Sequence, residues 1–363
     1  MEKPNVLIVE DSAFMRKLIT DFLTEDNAYN IIGFARNGRD AIEKIKSLKP
    51  DVVTLDVEMP IMDGLEALKI IMKECPLPVI MLSSSTRSGT ENTILAMQYG
   101  AFDFISKPSG PISLDLHKVK DELKAKITAA SRTSITRLQK YTTLSKQKLS
   151  ETVIYSKIES ESNSAIEPNS LRKEDRKVIA IGTSTGGPRA LQSVLTNLPK
   201  GINAPIVIVQ HMPAGFTKSL ANRLDSLSSI TVKEAEDEEI LYKGTAYIAP
   251  GGYHLEVVEK GHDLIVKLNR DEAVNGHRPS VDVLFESISL IDNFSVICVI
   301  MTGMGNDGTK GLVALKQRRP TISIAESEAS SIVFGMPKAA IATNLVDDVE
   351  NVENIAHAIV KYC

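Results

Sequence analysis

The stretch Val6-Leu7-Ile8-Val9-Glu10-Asp11-Ser12 decides the first reading of this chain. An apolar, β-branched run that ends on two carboxylates has the form of a strand buried on both faces and stopping at a polar edge. Short Val/Ile-rich runs recur at Ile31–Ala35, Val52–Leu55, Val79–Leu82 and Phe102–Ile105, with amphipathic stretches between them. Five such strands alternating with helices predict a parallel sheet covered on both sides, and the flavodoxin-like strand order is the common solution at this size.

Beyond this unit the pattern changes. Between Ala125 and Arg176 the sequence turns to Ser, Thr, Lys, Gln and Glu with scattered aliphatics, and it carries no acidic residue from Ala125 through Ser150. It reads as a solvated, flexible linker rather than a nucleic-acid arm. From Lys177 the α/β alternation resumes, with strands expected at Val178–Gly182, Ile206–Gln210, Phe294–Thr302 and Thr321–Ala325. Ala246–Ala249, His254–Val258 and Leu264–Leu268, separated by Gly-containing turns, read as an antiparallel insertion. The expected organisation is therefore a first domain over 1–124, a linker over 125–176, and a doubly wound α/β domain with a hairpin insertion over 177–363.

Composition narrows the function. The chain has 363 residues and a net charge of −4, which gives no overall attraction to nucleic acid or to an anionic membrane. Cys75, Cys298 and Cys363 are too widely spaced for a disulfide framework or a zinc site. The apolar run after Met1 is too short for a secretory or membrane-spanning segment, so a cytoplasmic protein without direct membrane insertion is expected.

In an open parallel sheet, ligands bind at the carboxyl ends of the strands. Glu10 and Asp11 follow the first strand, Asp56 the third, Ser83 the fourth, and Lys107 the fifth. Hard oxygen ligands of this kind suit Mg²⁺. Each carboxylate alone reads as a helix cap or surface charge; their convergence at one edge argues for a site. The segments Val9-Glu10-Asp11-Ser12, Leu55-Asp56-Val57-Glu58-Met59-Pro60 and Ile105-Ser106-Lys107-Pro108 resemble a response-regulator receiver domain. The resemblance implies that Asp56 accepts a phosphoryl group, that Glu10 and Asp11 with Asp56 hold Mg²⁺, that Ser83 senses the phosphoryl group, and that Lys107 contacts it across a cis bond to Pro108. Glu10 stands where many receivers carry Asp.

In the second domain the first βα turn reads Gly182-Thr183-Ser184-Thr185-Gly186-Gly187-Pro188, a Gly-x-Ser-x-Gly directly after an expected strand. Such a turn lifts a serine hydroxyl to the sheet edge, although a Gly/Ser/Thr-rich turn also suits a phosphate. A nucleophilic serine needs a base. His211 follows the second strand at the same edge, and His277, in His277-Arg278-Pro279-Ser280-Val281-Asp282, is the second candidate. Asp307, after the long apolar strand, is either the carboxylate that orients the base or a helix N-cap.

From Val178 onward these residues resemble the catalytic domain of the chemotaxis protein-glutamate methylesterases, the CheB family. Further family-like stretches are Ala235-Glu236-Asp237 and Tyr247-Ile248-Ala249-Pro250-Gly251-Gly252-Tyr253-His254-Leu255. The resemblance implies a Ser184–His211–Asp307 triad, oxyanion donors at Met304 and around Thr185, and no cofactor for ester hydrolysis. His277 and Arg278 are expected either to face substrate or to cap a helix start. It also implies glutamate γ-methyl esters and glutamines on the cytoplasmic helices of chemoreceptors as substrates, a chemotaxis histidine kinase as phosphodonor, and control of adaptation by the receiver.

Two rival readings remain. The loop Gly303-Met304-Gly305-Asn306-Asp307-Gly308 also matches a dinucleotide fingerprint, with Glu326 placed as a ribose ligand. Receivers also commonly drive DNA-binding modules, but the second domain shows no recognition-helix motif and no basic face.

Overall fold

The computed structural model describes residues 3–108, 116–133 and 176–363. The first unit alternates β1 (Asn5–Val9), α1 (Ala13–Thr24), β2 (Asn30–Ala35), α2 (Gly38–Leu48), β3 (Val52–Asp56), α3 (Gly64–Glu74), β4 (Val79–Ser83), α4 (Arg87–Tyr99), β5 (Asp103–Ser106) and α5 (Leu116–Ser131). Its five strands are parallel in the order β2-β1-β3-β4-β5, the flavodoxin-like arrangement. Val6 through Val9 are fully buried, as a central strand covered by helices requires. The helices start where their sequences supply caps: Ser12, Asn37, Asp63 and Thr86 each accept a backbone N–H from the first turn. α5 continues through Ser131, so the start of the expected linker is helix; its remainder from 134 to 175 lies outside the described residues.

The second unit runs β6 (Arg176–Thr183), α6 (Gly187–Leu195), β7 (Ile206–Gln210), α7 (Phe216–Asp225), β8 (Thr231–Glu234), β9 (Thr245–Ile248), β10 (His254–Lys260), β11 (Asp263–Asn269), α8 (Val281–Ser289), β12 (Phe294–Ile300), α9 (Thr309–Arg318), β13 (Thr321–Glu326), α10 (Met336–Ile341), β14 (Asp348–Glu350) and α11 (Val352–Tyr362). Seven strands form one parallel sheet in the order β14-β13-β12-β6-β7-β9-β8, and β10 and β11 form a separate antiparallel hairpin. The order reverses direction at β6, which makes the crevice above β6, β7 and β12 the place for a ligand.

This arrangement corrects one expectation. Ala246–Ile248 belongs to the main sheet, paired in parallel with β7 and β8, and only β10 and β11 are antiparallel. The chain leaves the sheet at Gly251, where a Cβ would lie 2.3 Å from the Pro213 carbonyl carbon; the glycine marks a close backbone approach rather than a hairpin tip. The polar edge strands β8 and β14 carry no apolar run and escaped the sequence reading.

The two units touch through α4 and β5 of the first and α6 and α7 of the second. Arg189 Nε donates to the Met97 carbonyl at 2.6 Å and the guanidinium also reaches the Ala101 carbonyl. Gln98 Oε1 accepts from Arg223 Nη2 at 2.8 Å, Thr90 and Ser219 hydroxyls meet at 2.9 Å, and Phe104 stacks on Phe216 with centroids 4.6 Å apart.

Candidate functional sites

At the carboxyl edge of the first sheet, Glu10, Asp11 and Asp56 each bring a carboxylate oxygen within 4.8 Å of the others. Lys107 Nζ lies 2.7 Å from Asp56 Oδ2 and 2.9 Å from Glu10 Oε2. Burial and then the Asp56 charge push the Glu10 carboxyl up to about 7. Burial likewise raises Asp56. For Lys107 burial acts downward, yet the carboxylates beside it win and hold it above its ordinary value. Three carboxylates against one ammonium form an under-neutralised cluster of hard oxygens, and a small divalent cation fits that donor set.

Ser83 lies at the end of β4, but its hydroxyl is engaged away from this cluster. It donates to the carbonyls of Ser84 and Gly89 at 3.1 Å and accepts from Thr93 Oγ1 at 2.6 Å. The cis bond expected at Lys107–Pro108 is not present; among the described residues the cis bond is Arg278–Pro279. Lys107 N donates to Ser83 O at 2.7 Å, one residue beyond the end of β5, and trans is the default form of an X–Pro bond.

At the carboxyl edge of the second sheet, Ser184 follows β6 in a turn held from several sides. Its N–H donates to Thr302 O at 3.0 Å, and its carbonyl accepts from Gly187 N at 2.8 Å and Gln210 Nε2 at 3.0 Å. The glycines are sterically required. A Cβ on Gly187 would sit 1.9 Å from Gln210 Oε1, and one on Gly303 would sit 2.8 Å from Ser184 Cβ. Pro188 opens α6, where its missing N–H costs nothing.

His211 follows β7 and is tied to the nucleophile turn by its backbone N–H on Thr183 O at 3.1 Å. Its Nε2 lies 2.7 Å from Asp307 Oδ2. Its Nδ1 is buried with no hydrogen-bond partner among the described residues, so the ring pairs with Asp307 and not with the Ser184 hydroxyl in this form.

Asp307 is the most densely supported group of the second unit. Besides His211 it accepts from Val281 N at 2.7 Å, Ser280 Oγ at 2.8 Å, and Asp282 N, Asn275 Nδ2 and Gly308 N at 3.1 Å each. Val281 and Asp282 are the first residues of α8, so their N–H groups carry the positive end of that helix. Burial acts to raise the carboxyl, but His211 and these backbone donors outweigh it and hold Asp307 far below the usual range. The N-cap of α9 is Gly308, so Asp307 does not serve that role.

His277 stacks on His211 with ring centroids 3.7 Å apart and planes 14° from parallel. Arg278 is engaged elsewhere, donating to the Arg270 and Asp271 carbonyls at 2.8 Å, so it neither caps α8 nor points a free guanidinium at the cleft. The Met304 and Thr185 backbone N–H groups donate to no partner among the described residues, while the Thr185 hydroxyl donates to Asp103 Oδ2 of β5 at 2.8 Å. Asp103 in turn lies 3.2 Å from Lys126 Nζ. Glu326, the ribose ligand of the dinucleotide reading, is fully buried and accepts from Thr302 N at 2.8 Å and Ser330 Oγ at 2.9 Å. It braces the strand end beside Ser184 instead. Sequence reasoning missed Asn275, Ser280 and Thr302, and read Glu326 only as a ribose ligand. The Asn-Gly pair at 275–276 and the Pro-Ser-Val-Asp helix start were the signals available for the first two.

The two edges together define a receiver coupled to an α/β unit with a serine turn and a His–Asp pair. Residues 6–117 match the response regulator receiver domain and residues 179–359 match CheB methylesterase. The chain is 54% identical over 99% of its length and 98% of the relative's to a protein-glutamate methylesterase/protein-glutamine glutaminase of Halalkalibacterium halodurans. It is 48% identical to that of Bacillus subtilis, covering 98% and 97% of the two chains. The crystal structure of the Thermotoga maritima CheB methylesterase catalytic domain aligns with a TM-score of 0.50 at 44% identity, over 52% of this chain and 99% of that one. This chain belongs to the CheB family of protein-glutamate methylesterase/protein-glutamine glutaminases. Among the described residues, no helix is long and apolar enough to cross a membrane.

Proposed function

We propose that the chain hydrolyses glutamate γ-methyl esters on the cytoplasmic helices of chemoreceptors, releasing methanol, and deamidates glutamines there, with Ser184, His211 and Asp307 as the triad. The observation that carries this reading is the buried His211–Asp307 pair at 2.7 Å, held at the same sheet edge as the Ser184 turn. With Nε2 on Asp307, Nδ1 is the nitrogen that serves Ser184. As substrate binds, that contact closes, and catalytic hydrogen bonds commonly tighten only in the complex.

Ser184 Oγ attacks the ester carbonyl as its proton passes to His211 Nδ1. Met304 N–H and Thr185 N–H, otherwise without partners among the described residues, stabilise the oxyanion; losing one such donor costs about 10² to 10³ in rate. The proton then moves from Nδ1 to the departing methoxide, and methanol leaves an acyl-enzyme. Water attacks this ester, again giving its proton to Nδ1, and Ser184 Oγ recovers the proton as glutamate departs. A glutamine side chain follows the same route with ammonia as leaving group.

The receiver gates this site. Asp56 accepts a phosphoryl group from a chemotaxis histidine kinase; Glu10, Asp11 and Asp56 would hold Mg²⁺, whose charge offsets that of the carboxylates and the incoming phosphoryl group. Lys107 orients the phosphoryl oxygens. Ser83, once drawn to the phosphoryl group, gives up its bonds to Gly89 and Thr93 on α4, and α4 carries Thr90, Met97 and Gln98 of the contact between the units. Loosening that contact frees Thr185 from Asp103 and opens the cleft. Methanol release from methylated receptor membranes, with and without a small phosphodonor and Mg²⁺, tests the reading. Release should rise with phosphodonor in the wild type and vanish in Ser184→Ala, whereas release that survives that substitution excludes the mechanism.

A further inference from the structure

Resting on the reading of His211 as the base, we infer that His277 is a positioning residue for hydrolysis, whose ring lies face to face on His211, fixes its plane and keeps water off it.

The observations converge on a built device. His211 is oriented through one ring hydrogen bond, to Asp307, and a single bond leaves the plane of the imidazole free to turn about it. The His277 ring, 3.7 Å away and 14° from parallel, removes that freedom. The turn that presents it is made for close tolerance. Val274 N and His277 N each donate to the other residue's carbonyl, at 3.1 and 2.9 Å, and Asn275 and Gly276 between them have φ of 53° and 80°. This is the Asn-Gly turn with both central residues in the left-handed region. Asn275 Nδ2 then bonds both Asp282 Oδ2 at 2.9 Å and Asp307 Oδ1 at 3.1 Å, so the turn is registered on the carboxylate that orients His211. On its other side, Arg278 fastens the segment to the Arg270 and Asp271 carbonyls.

The His277 ring nitrogens make no hydrogen bond among the described residues, so the contribution of the ring is its face. The charged and titratable groups acting on it are His211, Asp307 and, from α5 of the receiver, Lys126. Burial first, then the His211 ring and the Lys126 charge, take His277 down to about 4 against the opposing pull of Asp307. His277 is therefore neutral at neutral pH. The stack covers one face of the His211 side chain, which is 5% exposed, and excludes water from it. A base held in a fixed plane is what Ser184 needs.

The test uses the full chain activated with a small phosphodonor, following methanol release from methylated receptor membranes across a series of substrate concentrations. His277→Ala removes the face and His277→Phe restores an aromatic one. For His277→Ala, kcat should fall about 10- to 100-fold with KM nearly unchanged, the range expected when a catalytic group loses its positioning. His277→Phe should return kcat close to wild type. A wild-type kcat in His277→Ala, a change confined to KM, or a Phe variant as impaired as the Ala variant overturns the inference. Ser184→Ala and His211→Gln run in parallel separate the two claims. If these retain activity the triad reading fails, and if they lose it while His277→Ala is normal only the role of His277 fails.

Discussion

The two carboxyl edges of this molecule solve opposite electrostatic problems with similar architecture. At the receiver edge, three carboxylates share one lysine, and Glu10 is pushed up to about 7 because burial and Asp56 leave its charge poorly compensated. At the hydrolase edge, one carboxylate receives five donors besides His211, and Asp307 is held far below its ordinary range. On the proposed reading, the first edge takes up a cation and a phosphoryl group, while the second lacks only the contact between His211 and Ser184. The difference teaches that, on this reading, the receiver site is built to change its charge and the hydrolase site to keep it.

The largest break in this comparison comes from removing the nucleophile. Ser184→Ala should lower methyl-ester turnover by about 10⁶, as loss of a triad serine does elsewhere, with the receiver still accepting phosphate. Asp307→Asn should cost about 10⁴ in kcat, through the wrong imidazole tautomer. It should also reduce stability in a denaturant titration by about 1–3 kcal/mol, since the α8 N–H groups then face an amide that accepts less well.

Asp56→Asn sharpens the other edge. Basal turnover should remain while phosphodonor activation disappears, as measured by methanol release before and after addition of the phosphodonor. The smallest effect belongs to the contact between the edges. Asp103→Asn weakens the bond from Thr185, and basal turnover of the unphosphorylated protein should rise about 2- to 10-fold, the worth of one interface hydrogen bond. An unchanged basal rate places the inhibitory contact away from β5, on α4.

Much of this was legible in the sequence because strand ends and turns are local. β1, β3 and β4 are apolar runs, interrupted in β3 only by Thr54, that lead to Glu10, Asp56 and Ser83 at the sheet edge. Ser184, His211 and Asp307 likewise follow β6, β7 and β12 at one switch point. What escaped depends on contacts distant in sequence. β9 reads as part of the insertion because a Pro-Gly-Gly turn resembles a hairpin tip, and its parallel pairing with β7 and β8, distant in sequence from the turn, places it in the main sheet instead. The ring that stacks on His211 comes from a two-residue turn, and nothing in the local pattern states which face of the site it will meet. The Ser83 hydroxyl shows the same limit, since its partners on α4 are a property of this form of the receiver rather than of the motif.

The most direct test of the central claim is rapid quenching of the phosphodonor-activated enzyme during turnover of a methylated receptor peptide, followed by mass analysis of its proteolytic fragments. The account predicts a transient acyl adduct on the fragment carrying Ser184, absent in Ser184→Ala and lost as the glutamate product forms. An adduct on another fragment, or methanol release at full rate with the Ser184 fragment unmodified throughout, would contradict it.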